Sequence, residues 1–451
     1  MSHNQEVTLQ ELAHSICETL RRHGHQALLC GGCVRDLLLG REPADYDVTT
    51  DATPEQVMAL FPESVGVGAQ FGVVRIPRDG LQVEVATFRA DVGYSDGRHP
   101  DAVVYSRAPS EDVQRRDFTI NGLLMRPETG EVLDFVGGQG DLKAGVIRAI
   151  GEPDRRFTED KLRLLRAVRF AARFGFTIEP ATFEAIRRRA PEVTTVSAER
   201  VREELTKLLT EGAARQGFEL LDRTGLLSSI LPEIAAMKGV EQPPEYHPEG
   251  DVWIHTGMMI ERLPAGCPAT LAWGVLLHDV GKPPSFRPVS ETGDRIRFDG
   301  HVEVGVRMTE QICRRFRFSG EDTEQIVALV ANHMRFKDVE QMRPATLKRF
   351  LRLPRFEEHL ELHRLDCLSS HRRLDIYESL QRILRETPAE QIRPARLLTG
   401  NDIARMGYVP GPVFSEILRS LEDAQLEGQI KTREEAEKFV GRKFRVQKLK
   451  A

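Results

Sequence analysis

Cysteine is scarce in this sequence. Six cysteines are spread over 451 residues, which is too few for the disulfide scaffold of a small secreted protein. Cys30 and Cys33 form a CxxC pair, but a structural zinc site needs a second pair and a redox site needs a thioredoxin-like context. Because the sequence offers neither, we expect reduced thiols with no redox or metal role.

Long hydrophobic runs are also missing. The longest uncharged, apolar-leaning stretch, residues 264–277, is too short to span a bilayer and runs into His278 and Asp279. The first twenty residues are polar and periodic, whereas a secretory signal has a basic patch followed by an apolar run. We therefore predict no transmembrane helix, no membrane partner and a cytoplasmic location. No protein partner is inferred from the sequence.

Lysine is rare among the cations, with 12 lysines in a total of 63 Lys and Arg. The formal net charge of -5 argues at first sight against a nucleic-acid partner, but a summed charge says nothing about its arrangement. Residues 1–160 carry a net -10, residues 161–190 a net +6 and residues 441–451 a net +5. Since phosphate attraction falls off over about 8–10 Å in physiological salt, the local basic segments matter more than the total.

Strand and helix patterns alternate in the first third of the chain. Apolar runs at 27–30, 46–49, 72–76 and 82–88 predict strands of a mixed sheet, and helical spacing predicts helices near 8–23, 34–39 and 54–60. Residues 89–112 lack periodicity and predict a long functional loop. From about residue 155 onward, apolar residues recur every three or four positions, which predicts helices. The proline- and acid-rich stretch 241–251 has the composition of a linker.

Gly31 and Gly32 lie between a predicted strand and a predicted helix. Backbone without a side chain can approach an anion there, and the N–H groups of a helix start can point at it. A plain tight turn is the alternative for a glycine pair taken alone. Arg35 and Asp36, in the first turns of the helix, favour the phosphate interpretation.

Asp45 and Asp47 are two residues apart on a predicted strand, so their side chains project from the same face. Two adjacent carboxylates repel each other unless a hard divalent cation with oxygen ligands lies between them, which predicts Mg²⁺. Two such ions can activate an attacking hydroxyl and neutralise a leaving pyrophosphate. Glu84, on a later strand, is a candidate third carboxylate; its alternative is a solvent-facing residue of an edge strand.

The segment LLCGGCVRDLLLGREPADYDVTTDATPEQV, residues 28–57, resembles the signature of the polymerase-beta-like nucleotidyltransferases. The likeness is to the branch that contains bacterial tRNA CCA-adding enzymes and poly(A) polymerases. The other motifs of that branch follow in order over the first half of the chain. They are the RRDFTIN run at 115–121, the connector at 134–142, the EDKLRLLR run at 159–166 and the helix at 197–205. The resemblance implies that the ribose and triphosphate are bound by Arg115, Arg116, Asp117 and Asn121.

The same resemblance makes 159–166 the segment that selects the nucleotide. If this segment is helical, Asp160 and Arg163 share a face and can pair. A carboxylate beside a guanidinium can then match the Watson–Crick edge of a base, so that protein replaces a template strand. An ordinary surface ion pair is the alternative. Two interpretations are open for Arg166, Arg169 and Arg173. They contact the triphosphate or RNA, or they form a solvated basic face.

Residues 88–106 resemble a flexible loop that members of this family retain when they incorporate A. The resemblance implies addition of A, and of C as well. A strand-like run at 68–76 resembles the CCA-adding type more than the poly(A) type. An A-adding specialist and a poly(A) polymerase remain alternatives.

The second half carries a dispersed pattern of histidines and aspartates. His255, His278, Asp279 and Asp366 resemble the ligand set of the HD phosphohydrolase superfamily, with WGVLLHDVGKP as its central motif. Nitrogen and oxygen ligands of this kind suit a divalent transition metal. His301 and His333 exceed the minimal set and are candidates for a second metal or for orienting a substrate phosphate. A degenerate HD fold that serves only to bind RNA is the alternative.

Together these observations predict a multidomain α+β protein. We expect an N-terminal α/β nucleotidyltransferase head with a mixed sheet at 1–152, an all-α neck at 153–235, an HD-like body at 236–385 and a tRNA-binding helical tail with a basic C-terminus at 386–451. The expected activity is template-independent addition of CCA to the tRNA 3′ end from CTP and ATP, with Mg²⁺ at the head. An HD phosphohydrolase with a nucleotide-binding head and a non-catalytic RNA-binding protein are rival interpretations.

Overall fold

A computed structural model of the chain describes residues 7–66, 72–93 and 102–444. The chain divides into two compact units, Met1–Ala235 and Ala236–Ala451. Part of the strand-like run at 68–76, the middle of the loop at 88–106 and most of the basic C-terminus at 441–451 lie outside the described residues. Within the described ranges, no helix is both long and apolar enough to cross a membrane.

The first unit contains a six-stranded sheet in the order β3-β4-β2-β1-β7-β8. β2 and β4 pair in parallel and the other neighbours are antiparallel, which confirms the predicted mixed sheet. Among the described residues there are also two small sheets, one of β5 with β6 and one of β9 with β10. The strands are β1 Ala27–Cys30, β2 Asp47–Thr50, β3 Val73–Arg78, β4 Leu81–Thr87, β5 Arg89–Val92, β6 Ala102–Tyr105, β7 Leu123–Met125, β8 Val132–Asp134, β9 Val146–Ile147 and β10 Thr177–Ile178.

Strand register determines which residues meet at one edge of this sheet. Cys30, the last residue of β1, pairs with Asp47, the first residue of β2. Asp47 in turn lies in register with Glu84 of the parallel β4. The turn at Gly31 and two acidic residues from different strands therefore lie side by side.

Helices surround this sheet and continue beyond it. The first shows why such segments form: Thr8 caps it and bonds reciprocally with Glu11, and its apolar residues recur at helical spacing on the buried face. The helices are α1 Leu9–Arg22, α2 Gly32–Leu38, α3 Pro54–Leu60, α4 Pro109–Gln114, α5 Gly138–Ala144, α6 Pro153–Glu159, α7 Arg163–Phe174, α8 Pro180–Arg189, α9 Ala198–Thr210, α10 Ala214–Arg223, α11 Leu226–Ile230 and α12 Pro232–Ala235, with 3₁₀ turns at Thr119–Asn121 and Ala190–Thr195.

Helices are the main elements of the second unit in its described part, which also has one isolated β-bridge between Arg287 and Arg297. The centre of this unit is α14, which is apolar on all sides, buried along its length and packed by α13, α18 and α20. The helices are α13 Val252–Glu261, α14 Ala269–Leu277, α15 Lys282–Ser285, α16 Val289–Thr292, α17 His301–Arg315, α18 Gly320–Asn332, α19 Pro344–Phe350, α20 Phe356–Ser369, α21 Asp375–Glu386, α22 Ala389–Ile392, α23 Gly400–Arg405, α24 Pro412–Leu426 and α25 Arg433–Lys443, with a 3₁₀ segment at His333–Gln341. The last three helices enclose an apolar cluster that includes Ile403, Ile417 and Val440.

Candidate functional site

Three carboxylates lie close enough at the edge of the large sheet to influence one another electrostatically. Asp47 begins β2 and is half-buried, Glu84 lies beside it on β4 and is exposed, and Asp45 is exposed two residues before the strand. The prediction that Asp45 is itself a strand residue is wrong, because β2 begins at Asp47. Arg75 approaches Glu84 at 2.9 Å, so this third carboxylate is partly neutralised.

The electrostatics of this cluster favour a cation. Burial raises the pKa of Asp47 to about 6, and the negative charges of Glu84 and Asp45 add to the rise although Arg116 opposes it. A carboxylate whose charge is disfavoured by two like charges is relieved when a divalent ion binds among them. The residue types and their crowding thus fit Mg²⁺ held by Asp45 and Asp47, with Glu84 alongside.

Gly31 is required where it stands. Its φ of 71° is one that residues with a side chain rarely adopt, and a Cβ there would lie 2.9 Å from Nη1 of Arg116. The glycine therefore lets a guanidinium lie against the turn between β1 and α2. Gly32 is less constrained, since its Cβ would meet only Arg35 at ordinary contact distance.

Arg35 and Asp36 belong to a buried network. Arg35 donates to the carboxylate of Asp36 at 2.8 Å and to the side-chain oxygen of Asn121 at 2.6 Å. Its guanidinium also lies over the rings of Phe170 and Phe174. Both residues of α2 are almost fully buried, so in this structure they position their neighbours.

Asp117 connects that network to the neck. It accepts from Asn121 at 3.0 Å and pairs with Arg166 at 2.7 Å. Burial disfavours its charged form, but Arg166 and the hydrogen bond from Asn121 outweigh this and lower its pKa to about 2. Four of the predicted residues, Arg35, Asp117, Asn121 and Arg166, are therefore brought together.

Asp112 is a residue that the sequence analysis missed. It is completely buried and pairs with Arg115 at 2.6 Å and with Arg116 at 3.0 Å. This single carboxylate holds both predicted triphosphate-binding arginines. The available indication was its spacing, three and four residues before the arginine pair, which places all three on adjacent turns.

The expected pairing of Asp160 with Arg163 is wrong. A helix across 159–166 would have brought the two side chains together, but α6 ends at Glu159, Asp160 is extended and α7 begins at Arg163. Asp160 instead pairs with Arg200 of α9 at 2.8 Å. Arg163 is buried and donates to Glu159 and to the backbone oxygens of Arg115 and Arg156.

The basic face of α7 is paired with acidic side chains. Arg169 is buried and lies 2.6 Å from Glu204 of α9, and Arg173 lies 3.5 Å from Glu211. Neither arginine is a freely solvated cation in this structure. Ion pairs to Glu204 of α9 and to Glu211 therefore hold these two arginines of α7.

Four histidines of the second unit share one chemical arrangement. Nδ1 of His278, His301 and His333 lies 2.8, 2.9 and 2.7 Å from the backbone carbonyl three residues earlier in each case. Nδ1 of His255 lies 2.7 Å from Glu249. In the described part of the chain, all four Nε2 atoms are buried and have no hydrogen-bond partner. A buried imidazole whose Nδ1 is hydrogen-bonded and whose Nε2 has no hydrogen-bond partner is suited to bind a metal through Nε2.

Aspartates lie among these free nitrogens. Asp279 approaches Nε2 of His278 at 3.1 Å and Nε2 of His333 at 3.7 Å, and Asp366 approaches Nε2 of His255 at 3.3 Å. Two clusters with ligand atoms within 4.8 Å of one another share Asp279: one adds His255 and His278, the other His301 and His333. This arrangement fits a divalent transition metal, with a second ion adjacent through the shared carboxylate.

Protonation favours ligation by two of the histidines. Burial lowers the pKa of His333 to about 4 and also lowers that of His301. Both rings are therefore neutral near pH 7. Burial acts in the same direction on His255, but the neighbouring carboxylates of Asp366 and Glu249 outweigh it and raise the pKa of His255 to about 9.

Gly281 allows His301 to approach. A Cβ on Gly281 would overlap the carbonyl oxygen of His301 and lie 2.6 Å from the backbone nitrogen of Gly305. Only glycine permits α17 to pass this close to the HD motif. Lys282, the next residue, pairs with Asp279 at 2.7 Å and donates to Gln242 at 2.6 Å.

The interpretation of residues 241–251 as a linker is wrong. Gln242 is buried and contacts Lys282, while His247 and Glu249 contact His255. The proline and acidic content of these residues suggested a solvated linker, but in the structure the segment forms a strap across the histidine cluster. We call residues 237–251 the strap.

Comparison with protein families assigns domains to three parts of the chain. Residues 27–148 match the poly A polymerase head domain. Residues 175–238 match a probable RNA and SrmB-binding site of polymerase A, and residues 251–378 match the HD domain. The carboxylate cluster thus lies in the matched head and the histidine cluster in the matched HD region.

Curated relatives resemble the first half of the chain. The CCA-adding enzyme of Geobacillus thermodenitrificans is 44% identical over 223 residues, which are 49% of this chain and 55% of the relative. That of Levilactobacillus brevis is 44% identical over 216 residues, 48% of this chain and 54% of the relative. The chain spans about half the length of the curated relatives it matches.

Solved structures resemble the chain over nearly its full length. The Bacillus stearothermophilus CCA-adding enzyme in complex with CTP has a TM-score of 0.74 and 26% identity, covering 97% of this chain and 98% of that chain. The Thermotoga maritima CCA-adding enzyme complexed with tRNA has a TM-score of 0.56 and 20% identity, covering 97% and 96%. At that identity the second comparison shows the fold alone.

Proposed function

We propose that this chain, a member of the family that joins a poly(A) polymerase head to an HD domain, adds CCA to the 3′ end of tRNA. The observation that carries the proposal is the cluster of Asp45, Asp47 and Glu84 at the edge of the sheet, beside the Gly31 turn. The similarity to a CCA-adding enzyme bound to CTP supports it. We further propose that it acts in the cytoplasm.

In the proposed reaction, the tRNA 3′-hydroxyl attacks the α-phosphate of CTP or ATP, a new phosphodiester bond forms and pyrophosphate leaves. Mg²⁺ held by Asp45 and Asp47 would activate the hydroxyl and neutralise the pyrophosphate. Arg115 and Arg116, held by Asp112, lie on the same unit and supply fixed positive charge for the triphosphate. Gly31 and Gly32 leave the backbone open beside them.

We propose that Asp160 recognises the base. C and A both present an exocyclic amino group on their Watson–Crick edge, and a carboxylate can accept from it. Arg200 holds Asp160 through two hydrogen bonds, at 3.2 and 2.8 Å. Arg163 would take part only after giving up its present backbone partners, so its part in selection remains a proposal.

We propose full CCA addition over A-only addition or poly(A) synthesis, because the relatives and solved structures described above are named CCA-adding enzymes. The loop at 88–106, on which the sequence-based argument for A addition rests, lies partly outside the described residues. The choice among the three activities is therefore decided by assay of the products.

We propose a phosphohydrolase activity for the HD region. Its supporting observation is the set of buried Nε2 atoms around Asp279 and Asp366. A divalent transition metal there would supply a nucleophilic water and charge neutralisation. Removal of a 3′ or cyclic phosphate from damaged tRNA ends would suit such a site.

Reciprocal variants test the two activities. Asp45→Ala should abolish nucleotide incorporation, leaving tRNA binding and phosphatase activity unchanged. His278→Ala with Asp279→Ala should abolish phosphatase activity and leave incorporation unchanged. If Asp45→Ala still incorporates nucleotides, the head mechanism is wrong; if phosphatase activity survives the HD double variant, the HD assignment is wrong.

A further inference from the structure

We infer that Glu249 is a positioning residue that fixes the ring orientation and tautomer of His255 and so sets the metal affinity of the HD site. The inference rests on the proposed HD metal site and adds to it a residue from the strap. Glu249 lies outside the ligand set that the sequence predicted, in a segment whose composition suggested a linker.

The contacts of Glu249 are buried and short. One carboxylate oxygen, Oε1, lies 2.7 Å from Nδ1 of His255 and 2.9 Å from Nδ1 of His247. The side chain of Glu249 is 5% exposed and that of His255 is fully buried. An ionised carboxylate can only accept hydrogen bonds, so it requires a proton on Nδ1 of each ring.

His255 differs from the other three histidines in how it is held. His278, His301 and His333 each use a backbone carbonyl, which no side-chain substitution removes. His255 depends on a side chain from outside its own helix. Its orientation is therefore the one that a single substitution can release.

The two ring nitrogens of His255 face different carboxylates, and the ring can bind a metal only when Nε2 carries no proton. Asp366 lies 3.3 Å from Nε2 and would draw a proton to the nitrogen that must bind the metal. Glu249 lies closer to Nδ1, at 2.7 Å, and favours the tautomer that leaves Nε2 free. A carboxylate that holds the far nitrogen of a metal-binding histidine also increases the basicity of that ligand.

The rest of the strap keeps Glu249 in place. His247 shares the same carboxylate oxygen and its ring lies 4.9 Å from that of His255, edge to face. Gln242 accepts a hydrogen bond from Lys282 and so anchors the strap. Asp251 accepts from the backbone N–H of Ile254 in its own helix and from the backbone N–H of Gly239. The strap therefore carries a fixed hydrogen-bond acceptor to the metal site.

Equilibrium binding of Co²⁺ tests this role, because the visible absorption of the bound ion reports its ligand set without any turnover. The full chain is used with Asp45→Ala and Asp47→Ala, so that the carboxylate cluster of the head contributes no site. Glu249→Ala and Glu249→Gln are compared with Glu245→Ala, a matched control that removes the same charge from an exposed position in the strap.

Glu249→Ala should bind Co²⁺ about 10–100-fold more weakly, the usual effect of losing such a partner. Glu249→Gln, whose amide oxygen can still accept, should fall between Glu249→Ala and the parent, and Glu245→Ala should match the parent. Affinity within twofold of the parent in Glu249→Ala would overturn the inference; if that variant does not fold, parental affinity in Glu249→Gln would do so. Absence of Co²⁺ binding in the parent would overturn the HD site itself.

Discussion

Asp47, the proposed metal ligand, has an unfavourable effect on the stability of the folded chain. Its pKa of about 6, against 3.8 for an ordinary aspartate, means that its ionised form is destabilised in the folded chain when no metal is bound. This destabilisation is fully present above the folded pKa and absent below the unfolded pKa. The carboxylate that we propose as a metal ligand therefore lowers the stability of the metal-free fold at neutral pH.

Asp47→Asn should accordingly raise the stability of the metal-free fold and abolish nucleotide incorporation. In chelator, at pH 8, the variant should unfold with a free energy higher by about 1–3 kcal/mol, because the disfavoured charge is gone. The gain should shrink as the pH falls below 6 and vanish only below about pH 3, where Asp47 is protonated in both states. Denaturant unfolding at several pH values measures it, and incorporation should be lost at all of them. A constant difference across this range would contradict the assignment.

Asp160→Ala tests base recognition. Uracil has no amino group on its Watson–Crick edge, so loss of the proposed acceptor for the amino group of C or A should reduce discrimination against UTP by about 10-fold or more, since each good base contact is worth about 1–3 kcal/mol. Misincorporation on a tRNA transcript measures the change. Arg200→Ala, which frees Asp160 without removing it, should show a smaller loss; unchanged selectivity in both variants would contradict the proposal.

At the scale of single residues, some site members were predictable and others were not. The spacing of Asp45 and Asp47 is local, so the pair could be predicted from the sequence alone. Glu249 could not, because its partner His255 is reached only when the strap folds back on the helix. In a proline-rich segment, no sequence pattern distinguishes a glutamate that is a buried hydrogen-bond acceptor from one that is exposed in a linker.

The elements of the fold differ in how far local pattern determines them. The strands β1 and β4 and the helices α1 and α3 follow their sequence periodicity closely. The segment at 159–163 does not, since good helix formers on both sides conceal an extended residue at Asp160. Tertiary contacts decide there: Arg163 bonds to backbone oxygens of Arg115 and Arg156, and Asp160 bonds to Arg200.

Gly281→Ala tests the close passage of α15 and α17. The added methyl group would overlap the backbone at His301, which cannot move aside without shifting the whole helix. We expect a loss of about 1–3 kcal/mol or more in the free energy of unfolding, together with weaker metal binding. Thermal unfolding with and without metal measures both.

Gly320→Ala is the matched control for that variant. A Cβ on Gly320, at the start of α18, would meet nothing within 4 Å. Alanine there should be neutral or slightly stabilising because it favours the helix. Equal effects of the two substitutions would contradict the steric account of Gly281.

At the scale of the whole molecule, the structure weakens the argument that a local excess of basic residues predicts tRNA binding. Residues 161–190 sum to +6, but Arg169 and Arg173 pair with Glu204 and Glu211, which lie outside that range. Arg188 and Arg189 likewise pair with Asp154. Much of this basic segment is therefore used for internal ion pairs, and its excess charge is a weaker argument for tRNA binding than the sum suggests.

The two units carry two different sets of candidate metal ligands. Crowded oxygen ligands in the first suit Mg²⁺ and nucleotidyl transfer, and buried imidazoles in the second suit a transition metal and phosphoester hydrolysis. The mixed sheet and the helical remainder were predictable because hydrophobic periodicity is local. The strap and the arginine pairs were not, because each depends on residues distant in sequence.

The most direct measurement supplies purified protein with tRNA transcripts that end before C74, after C75 or after A76, together with CTP, ATP or both. Our account predicts that the shortest transcript is rebuilt to CCA only when both nucleotides are present, that the second gains a single A, and that the complete transcript is left unextended. Extension of the second transcript alone would show an A-adding enzyme, and a long A tail would show a poly(A) polymerase. Either result would contradict the central claim.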